Sequence, residues 1–399
     1  MAQYDIVLFG ATGFTGGLTA QYLASHMPER ASWALAGRDL TKLTAVRDHL
    51  TATNSKLSEL PLLQADAGDP VALTALAGSA RVVISTVGPY QLHGEPLVAA
   101  CAAAGTDYVD LTGEPEFVDL MYLRYHEQAR ASGARLIHSC GFDSLPYDLG
   151  VLYTVGQIPE AADVPLAIEG YGLVGGSFSG GTFHSAVNIL GRLKEGGRLA
   201  RQRRSVEKNA PDGRLAEGRR VRGVPGRPHR EQIAGGWVVP APTIDPQHIL
   251  RSARLLERYG PDFSYSHYLV TRRARTTAGL LVGVGAVATL AQLAPTRNLL
   301  LKLKRPGTGP DEATRAKSFF RVRFVARVGG NRARTIVTEV SGGDPGYGET
   351  SKMLAESALC LAFDQVPAPG GGQWTPAVAL GQPLIDRLVD AGIRFRVVE

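Results

Sequence analysis

The sequence predicts an α/β protein: a doubly wound parallel sheet, followed by a second α+β domain with an antiparallel sheet. Three observations predict it. From Met1 to about Gly150, short continuous apolar runs alternate with alanine-rich helical stretches, as strands do when helices cover both of their faces. At the start, the strand formers Tyr4-Asp5-Ile6-Val7-Leu8-Phe9 lead straight into a glycine-rich turn and a helix-compatible stretch, Gly17 to Leu23. Far along the chain, Phe320, Val322, Phe324, Ala326 and Val328 alternate with Arg321, Arg323, Val325 and Arg327. That is the period of a half-buried antiparallel strand.

In order, the first domain (1–150) offers six strands. They are Tyr4 to Phe9, Ser32 to Ala36, Leu60 to Ala65, Arg81 to Val87, Asp107 to Leu111 and Arg135 to Cys140. A second domain (151–345) starts with a strand over Val164 to Val174, then the loop Gly175 to Thr182 and a helix over His184 to Glu195. Its hairpin turns at Gly329-Gly330-Asn331, and the returning strand runs from Arg332 to Val340. The last segment (346–399) returns to helix, over Glu349 to Phe363 and Pro376 to Ala391.

A length of 399 residues suits two ordinary domains. No signal peptide is expected, because the first strand follows Met1 almost at once. Cys101, Cys140 and Cys360 stand far apart without a C-x-x-C pair. A disulfide framework and a structural zinc site are therefore not expected, and a reducing cytoplasm is. The histidines form no metal-ligand cluster, so no metal is expected.

The net charge of +6 is unevenly spread. Between Arg192 and Arg230 stand thirteen Arg or Lys residues against four acids, a local net of +9. Such a segment is either a solvated excursion or a dock for an acidic partner. No aromatic residues alternate with the arginines, so nucleic acid is not an expected partner. Thr276 to Thr296 carries no charge and is flanked by Arg272, Arg273, Arg275 and Arg297. Its length approaches the roughly 20 residues of a membrane span. A span would divide one domain across a bilayer. The segment is expected as a packed helix, with peripheral contact to a membrane or lipid as the alternative.

The glycine turn carries the chemistry. Gly10, Gly13 and Gly16, with Ala11, Thr12, Phe14 and Thr15 between them, follow a strand and open a helix, the pattern of a dinucleotide site in a Rossmann-like sheet. Gly10 lets the chain leave the strand sharply, Gly13 leaves room for a pyrophosphate, and Gly16 lets helix and strand approach. The helix start then offers N–H groups to the anion. After the second strand an NAD site needs a carboxylate for the ribose hydroxyl. Here Gly37-Arg38 stands there instead, and arginine suits the 2′-phosphate of NADP. Asp39 reads as a helix N-cap. Asp66 either contacts adenine or caps the helix after Gly68-Asp69-Pro70. Gly88 and Pro89 give a rigid turn at the end of the fourth strand, where a nicotinamide must lie. Tyr90 presents a hydroxyl there.

Together these residues resemble the saccharopine dehydrogenase-like superfamily, and within it the trans-acting enoyl reductase family. The resemblance rests on DIVLFGATGFTG (from Asp5), Leu35-Ala36-Gly37-Arg38, Thr86 to Tyr90, ACAAAGTDYVDLTGE (from Ala100), CGFDSLPYDL (from Cys140), GYGETSKMLAESA (from Gly346) and the segment from Thr375 to Gly392. It runs essentially end to end. It implies an NADP-dependent two-domain oxidoreductase whose C-terminal helices fold back on the nucleotide domain. Members of known role supply an enoyl reduction that a polyketide synthase module lacks, during synthesis of waxy phthiocerol-type lipids and phenolic glycolipids. Tyr147 departs from the family pattern, which has serine in the carrier-assisted reductases.

Enoyl reduction needs a hydride at Cβ, stabilisation of a thioester enolate and a proton at Cα. No Tyr-x-x-x-Lys pair announces the acid. Tyr90 is the first candidate, for enolate stabilisation or protonation, and Asp143 the second, as a group that orients the rim; His184 is a third position that could face a cleft. An acyl-carrier or synthase-bound lipid would be the partner, docked by Arg201, Arg203 and Arg204. A homodimer through the exposed sheet is one open arrangement. Two other readings stay open: a saccharopine-reductase-like imine or amino-acid dehydrogenase, and a non-catalytic NADP-binding, lipid-associated protein.

Overall fold

The computed structural model describes residues 2–398 apart from 176–186, 188–191, 211–214, 216–217, 242, 293–294, 298, 300–310 and 332. The described residues form two compact units. The first takes residues 2–142 and 346–388, and the second takes the described residues of 143–345 and 389–398.

The first unit opens with β1 (Tyr4–Phe9), α1 (Phe14–His26), β2 (Trp33–Gly37), α2 (Leu40–Thr53), β3 (Leu62–Gln64), α3 (Pro70–Ser79) and β4 (Ala80–Ser85). It continues with α4 (Tyr90–His93), α5 (Glu95–Ala104), β5 (Asp107–Asp110), α6 (Pro115–Ser132) and β6 (Arg135–Ile137). Local chemistry starts the helices. Asp39 caps α2 by accepting from Lys42 N at 3.1 Å, as its position after Arg38 predicts. Asp69 caps α3 by accepting from Val71 N and Ala72 N, with Pro70 at the first helical position.

The second unit contains α7 (Leu145–Gly156), β7 (Leu166–Gly175), α8 (Leu193–Asn209), β8 (Arg220–Gly223), β9 (His229–Glu231), β10 (Gly236–Pro240), α9 (Asp245–Leu255) and β11 (Asp262–Thr271). Then come α10 (Ala274–Ala291), α11 (Glu312–Ala316), β12 (Phe319–Val328) and β13 (Arg334–Gly342). The chain re-enters the first unit with α12 (Gly348–Phe363), β14 (Gly372–Trp374) and α13 (Pro376–Ala379). After α14 (Gly381–Asp390) it ends in β15 (Arg394–Val397), which belongs to the second unit.

The first sheet runs β14-β6-β5-β4-β1-β2-β3. Every pair in it is parallel, so the carboxyl ends of all its strands share one edge. The six predicted strands are present, and β14 is a seventh that periodicity does not announce. Helix α12 packs on α1, β4 and β5. It is pinned by Tyr22, whose hydroxyl donates to Glu356 Oε1 at 2.6 Å, and by Arg387, which reaches Glu356 and Asp364.

The second sheet runs β15-β13-β12-β7-β11-β10-β9, with β8 also on β11. The predicted hairpin is β12–β13, antiparallel over its whole length. The sheet is nevertheless mixed rather than antiparallel, because β11 runs parallel to both β7 and β8. Helix α7 packs on β12 and β13, where Thr154 and Thr338 exchange a hydroxyl hydrogen bond of 2.6 Å. The helices expected over Glu349 to Phe363 and Pro376 to Ala391 are present, and β14 and β15 are short strands between and after them.

The basic segment is also more ordered than an excursion. Helix α8 extends to Asn209, because Glu207 is buried and gathers Arg203, Arg251 and Arg254. Those cations hold the Glu207 carboxyl below its ordinary range against the opposing effect of burial. A carboxylate with three cations around it fixes one face of α8 to α9.

Candidate functional site

The carboxyl-end edge of the first sheet is built by four strands. Phe9 of β1 stands beside Ala36 of β2 and Ser85 of β4, and Gly37 stands beside Gln64 of β3. The residues that follow therefore converge: Gly10 to Gly16, Arg38, Asp66 and Thr86 to Pro89. These are the positions singled out for a cofactor.

The glycine turn is locked in place. Gly10 has φ of +91°, a conformation that side chains resist. Its N–H donates to the Ala36 carbonyl at 2.9 Å, and its carbonyl accepts from Gly13 N at 3.0 Å. Thr86 Oγ1 also donates toward the Gly10 carbonyl at 3.0 Å, which ties the turn to β4. Gly16 lies so close to this turn that a Cβ would strike the Gly10 carbonyl oxygen, with Thr86 Oγ1 only 2.8 Å away. Around Gly13, by contrast, a Cβ would meet protein only at the Gly10 carbonyl oxygen, 3.4 Å away. Thr12 and Gly13 are exposed, and no side chain caps α1. A helix start of this form attracts a phosphate. Phe14 packs edge-on against Tyr347 at 4.6 Å, and Ser351 Oγ donates to the Thr15 carbonyl at 3.3 Å. The segment entering α12 and its first turn thereby brace the turn.

Arg38 is exposed, and its guanidinium has no hydrogen-bond or ion-pair partner among the described residues. An unpaired cation one residue beyond β2 can take a ribose 2′-phosphate bidentately. Asp66 is exposed and turns back to accept from Gly68 N at 2.8 Å, while Asp69 does the capping. The reading of Asp66 as a helix cap is thereby corrected: its carboxylate serves the turn before the helix. Gly88 and Pro89 are joined by a cis peptide bond, and Pro89 starts α4.

Tyr90 is a correction. Its ring is buried against Phe117. Its hydroxyl donates to the Ser85 carbonyl at 2.9 Å and lies 3.4 Å from Leu111 N. Burial first, and the Asp110 charge second, push the phenol well above its ordinary range. It braces β4 and β5 from inside and does not present a hydroxyl at the rim. Sequence reasoning missed its partner Glu114, which accepts from Tyr90 N and Gln91 N. It also missed the buried Asp110–His138 pair at 2.7 Å, at the ends of adjacent strands. Only the position of those two residues at neighbouring predicted strand ends could have signalled them.

In the second unit, Asp143 reaches solvent although protein surrounds it, and desolvation raises its carboxyl to about 6. Tyr147 is buried, with its ring edge-on to His267 at 4.8 Å. His267 Nδ1 is 3.0 Å from the Tyr265 hydroxyl, and its Nε2 is 3.6 Å from Asp245 Oδ2. Burial lowers His267 to about 3 and raises the Asp245 carboxyl well above its ordinary range, so it favours the uncharged form of each. His184 lies outside the described residues.

Asp245 gives a pH prediction. A carboxyl ordinarily titrates near 3.9. The folded chain holds the Asp245 proton above that, so the native state binds more protons and loses stability as pH rises toward the folded pKa. Asp245→Asn removes this loss, about 1.4 kcal/mol per pH unit. Thermal melts should show the variant gaining on the parent protein as pH rises above the ordinary carboxyl range. A constant difference between them through that rise would mean that Asp245 ionises normally.

A family model described as the saccharopine dehydrogenase NADP binding domain matches residues 6–137. A trans-acting enoyl reductase of Mycobacterium bovis (strain BCG) is 36% identical over 416 residues, 98% of this chain and 97% of that one. The chain belongs to the trans-acting enoyl reductase family. A Mycobacterium tuberculosis protein that carries the same name provisionally is 38% identical over 417 residues, 99% of this chain and 97% of that one. The fold is that of apo saccharopine dehydrogenase (L-Glu forming) from Saccharomyces cerevisiae. The TM-score is 0.55 at 13% identity, covering 99% of this chain and all of that one. The protein is an NADP-dependent oxidoreductase, and the residues of the edge fit that cofactor. The glycine cradle leaves space where a Cβ would stand, and the one arginine at the end of β2 is unpaired.

Proposed function

We propose that this protein reduces the double bond of an enoyl thioester carried by a polyketide synthase. The observation that carries the reading is end-to-end kinship, 36% to 38% over 97% or more of both chains, with proteins named for trans-acting enoyl reduction. When bound, NADPH supplies the hydride.

The chain's own residues do the rest. Gly10 to Gly16 take the pyrophosphate on the first turn of α1, and Arg38 takes the 2′-phosphate. Thr86 holds the turn against β4, and Gly88 and Pro89 border the nicotinamide position. Carrier docking falls to Arg201 and Arg204, which are exposed on α8. Arg203 is excluded because it is buried on Glu207. A reducing cytoplasm as the place of action is supported by Cys101, Cys140 and Cys360, which are all free thiols and buried.

The test follows NADPH consumption with a 2-enoyl thioester, offered on a carrier protein and as a small analogue, with mass analysis of the product. Saturation of the double bond is expected. Arg201→Gln with Arg204→Gln should raise KM for the carrier-bound substrate and leave the analogue unchanged. Turnover of imines alone, or NADPH binding without turnover of any acceptor, would overturn the enoyl reading.

A further inference from the structure

Helix α10 touches the second sheet near its start, where the Thr271 and Thr277 hydroxyls share a hydrogen bond, and its later turns are largely exposed. It is 18 residues long, about 27 Å at 1.5 Å per residue. The whole stretch from Thr276 to Thr296 lacks a charged side chain. Yet the helix covers almost nothing: only 12% of it is buried. Val282 is 73% exposed, and Val284 and Leu290 are also open to solvent. A core helix of this composition would be buried on at least one face. An apolar helix left in water marks a surface that something covers.

Its ends say what covers it. Arg272, Arg273 and Arg275 are exposed at its amino end and have no acidic partner among the described residues. The helix therefore offers an apolar body with a cationic end, which complements a lipid surface of negative charge. The topology excludes a single crossing. β11 ends at Thr271 just before the helix, and β12 starts at Phe319 after it. Both pair with β7 in one sheet. The chain must leave and return on the same side. The sequence leading back to β12 carries Arg297, Lys302, Lys304 and Arg305, charges that a bilayer interior disfavours.

We propose that α10 lies in the interface of an anionic lipid bilayer, with Arg272, Arg273 and Arg275 against the headgroups. The helix belongs to the second unit, and the proposal does not depend on the enoyl reading. An acyl substrate that resides in a membrane would meet the enzyme there.

The test uses the full chain. Val282→Cys offers a single reactive thiol for an environment-sensitive fluorophore, since the native cysteines are all buried. Val71→Cys, on the exposed face of α3, is the control. With vesicles containing phosphatidylglycerol, the label at 282 should shift to the blue and the label at 71 should not. Replacing Arg272, Arg273 and Arg275 with Gln should weaken vesicle affinity about 100-fold. NADPH binding, followed on the same samples, should stay unchanged, which separates this surface from the cofactor edge. The absence of a shift, equal affinity for neutral phosphatidylcholine vesicles, or a shift without lipid that grows with protein concentration would each overturn the proposal. The last result would assign the helix to a second copy of the chain.

Discussion

Gly16→Ala is expected to abolish NADPH binding while leaving the protein folded. The new Cβ would overlap the Gly10 carbonyl oxygen and lie 2.9 Å from its carbon. Both atoms are backbone, so no side chain can rotate away. Nor can the turn retreat. It is held by Gly10 N to the Ala36 carbonyl, by Gly13 N to the Gly10 carbonyl and by Thr86 Oγ1. Helix α1 would have to lift from β1, which costs about 1–3 kcal/mol as overpacking. The lift would move the helix start away from the pyrophosphate. A fluorescence titration should show NADPH affinity falling about 100-fold or more, and far-ultraviolet dichroism should be unchanged. A well-folded variant that still binds within about threefold would remove Gly10 to Gly16 as the cradle.

Arg38→Ala is expected to separate the two nicotinamide cofactors. The guanidinium is exposed and unpaired among the described residues, so its loss breaks no internal contact. A hydrogen bond to a charged group contributes roughly 1.5–3 kcal/mol. NADPH affinity should therefore fall about 10- to 100-fold, while NADH affinity, which lacks the 2′-phosphate, should hardly change. Titration of both cofactors against parent and variant decides it. Equal losses for both would mean that Arg38 stacks on adenine without touching the phosphate. Unchanged NADPH affinity would mean that another group binds the phosphate.

Much of the first unit was legible because its strands carry their own signal. Ile6-Val7-Leu8-Phe9 and Val82-Val83-Ile84 are buried runs that no helix face would show. The glycine spacing, too, is a direct statement about backbone. What could not be read is the direction of a side chain. Tyr90 sits at the right end of β4, but its hydroxyl turns inward to Ser85. β14 was missed because three residues, Gly-Gln-Trp, carry no period. Its place is set by tertiary contacts such as Gln373 N on His126 Nδ1 at 3.0 Å. The order in α8 was missed for a similar reason. Arg203 and Glu207 are one helical turn apart, but Arg251 and Arg254 come from a distant helix. A run of like charge reads as solvated until its counter-ion is found. The parallel placement of β11 depends on which strands meet, and alternation alone does not report that.

The path of the chain sets an order of assembly. The first sheet receives β14 only after the whole of 143–345 has been made, and the second sheet receives its edge strand β15 after α14. The first sheet cannot be completed on a growing chain before Gly372–Trp374 have left the ribosome, nor the second before Arg394–Val397 have done so. Until then, β6 and β13 each show an unpaired edge, which is a template for pairing with another chain. Synthesis of this protein therefore passes through a stage in which both halves are adhesive at once, and a chaperone that shields strand edges would act at that stage.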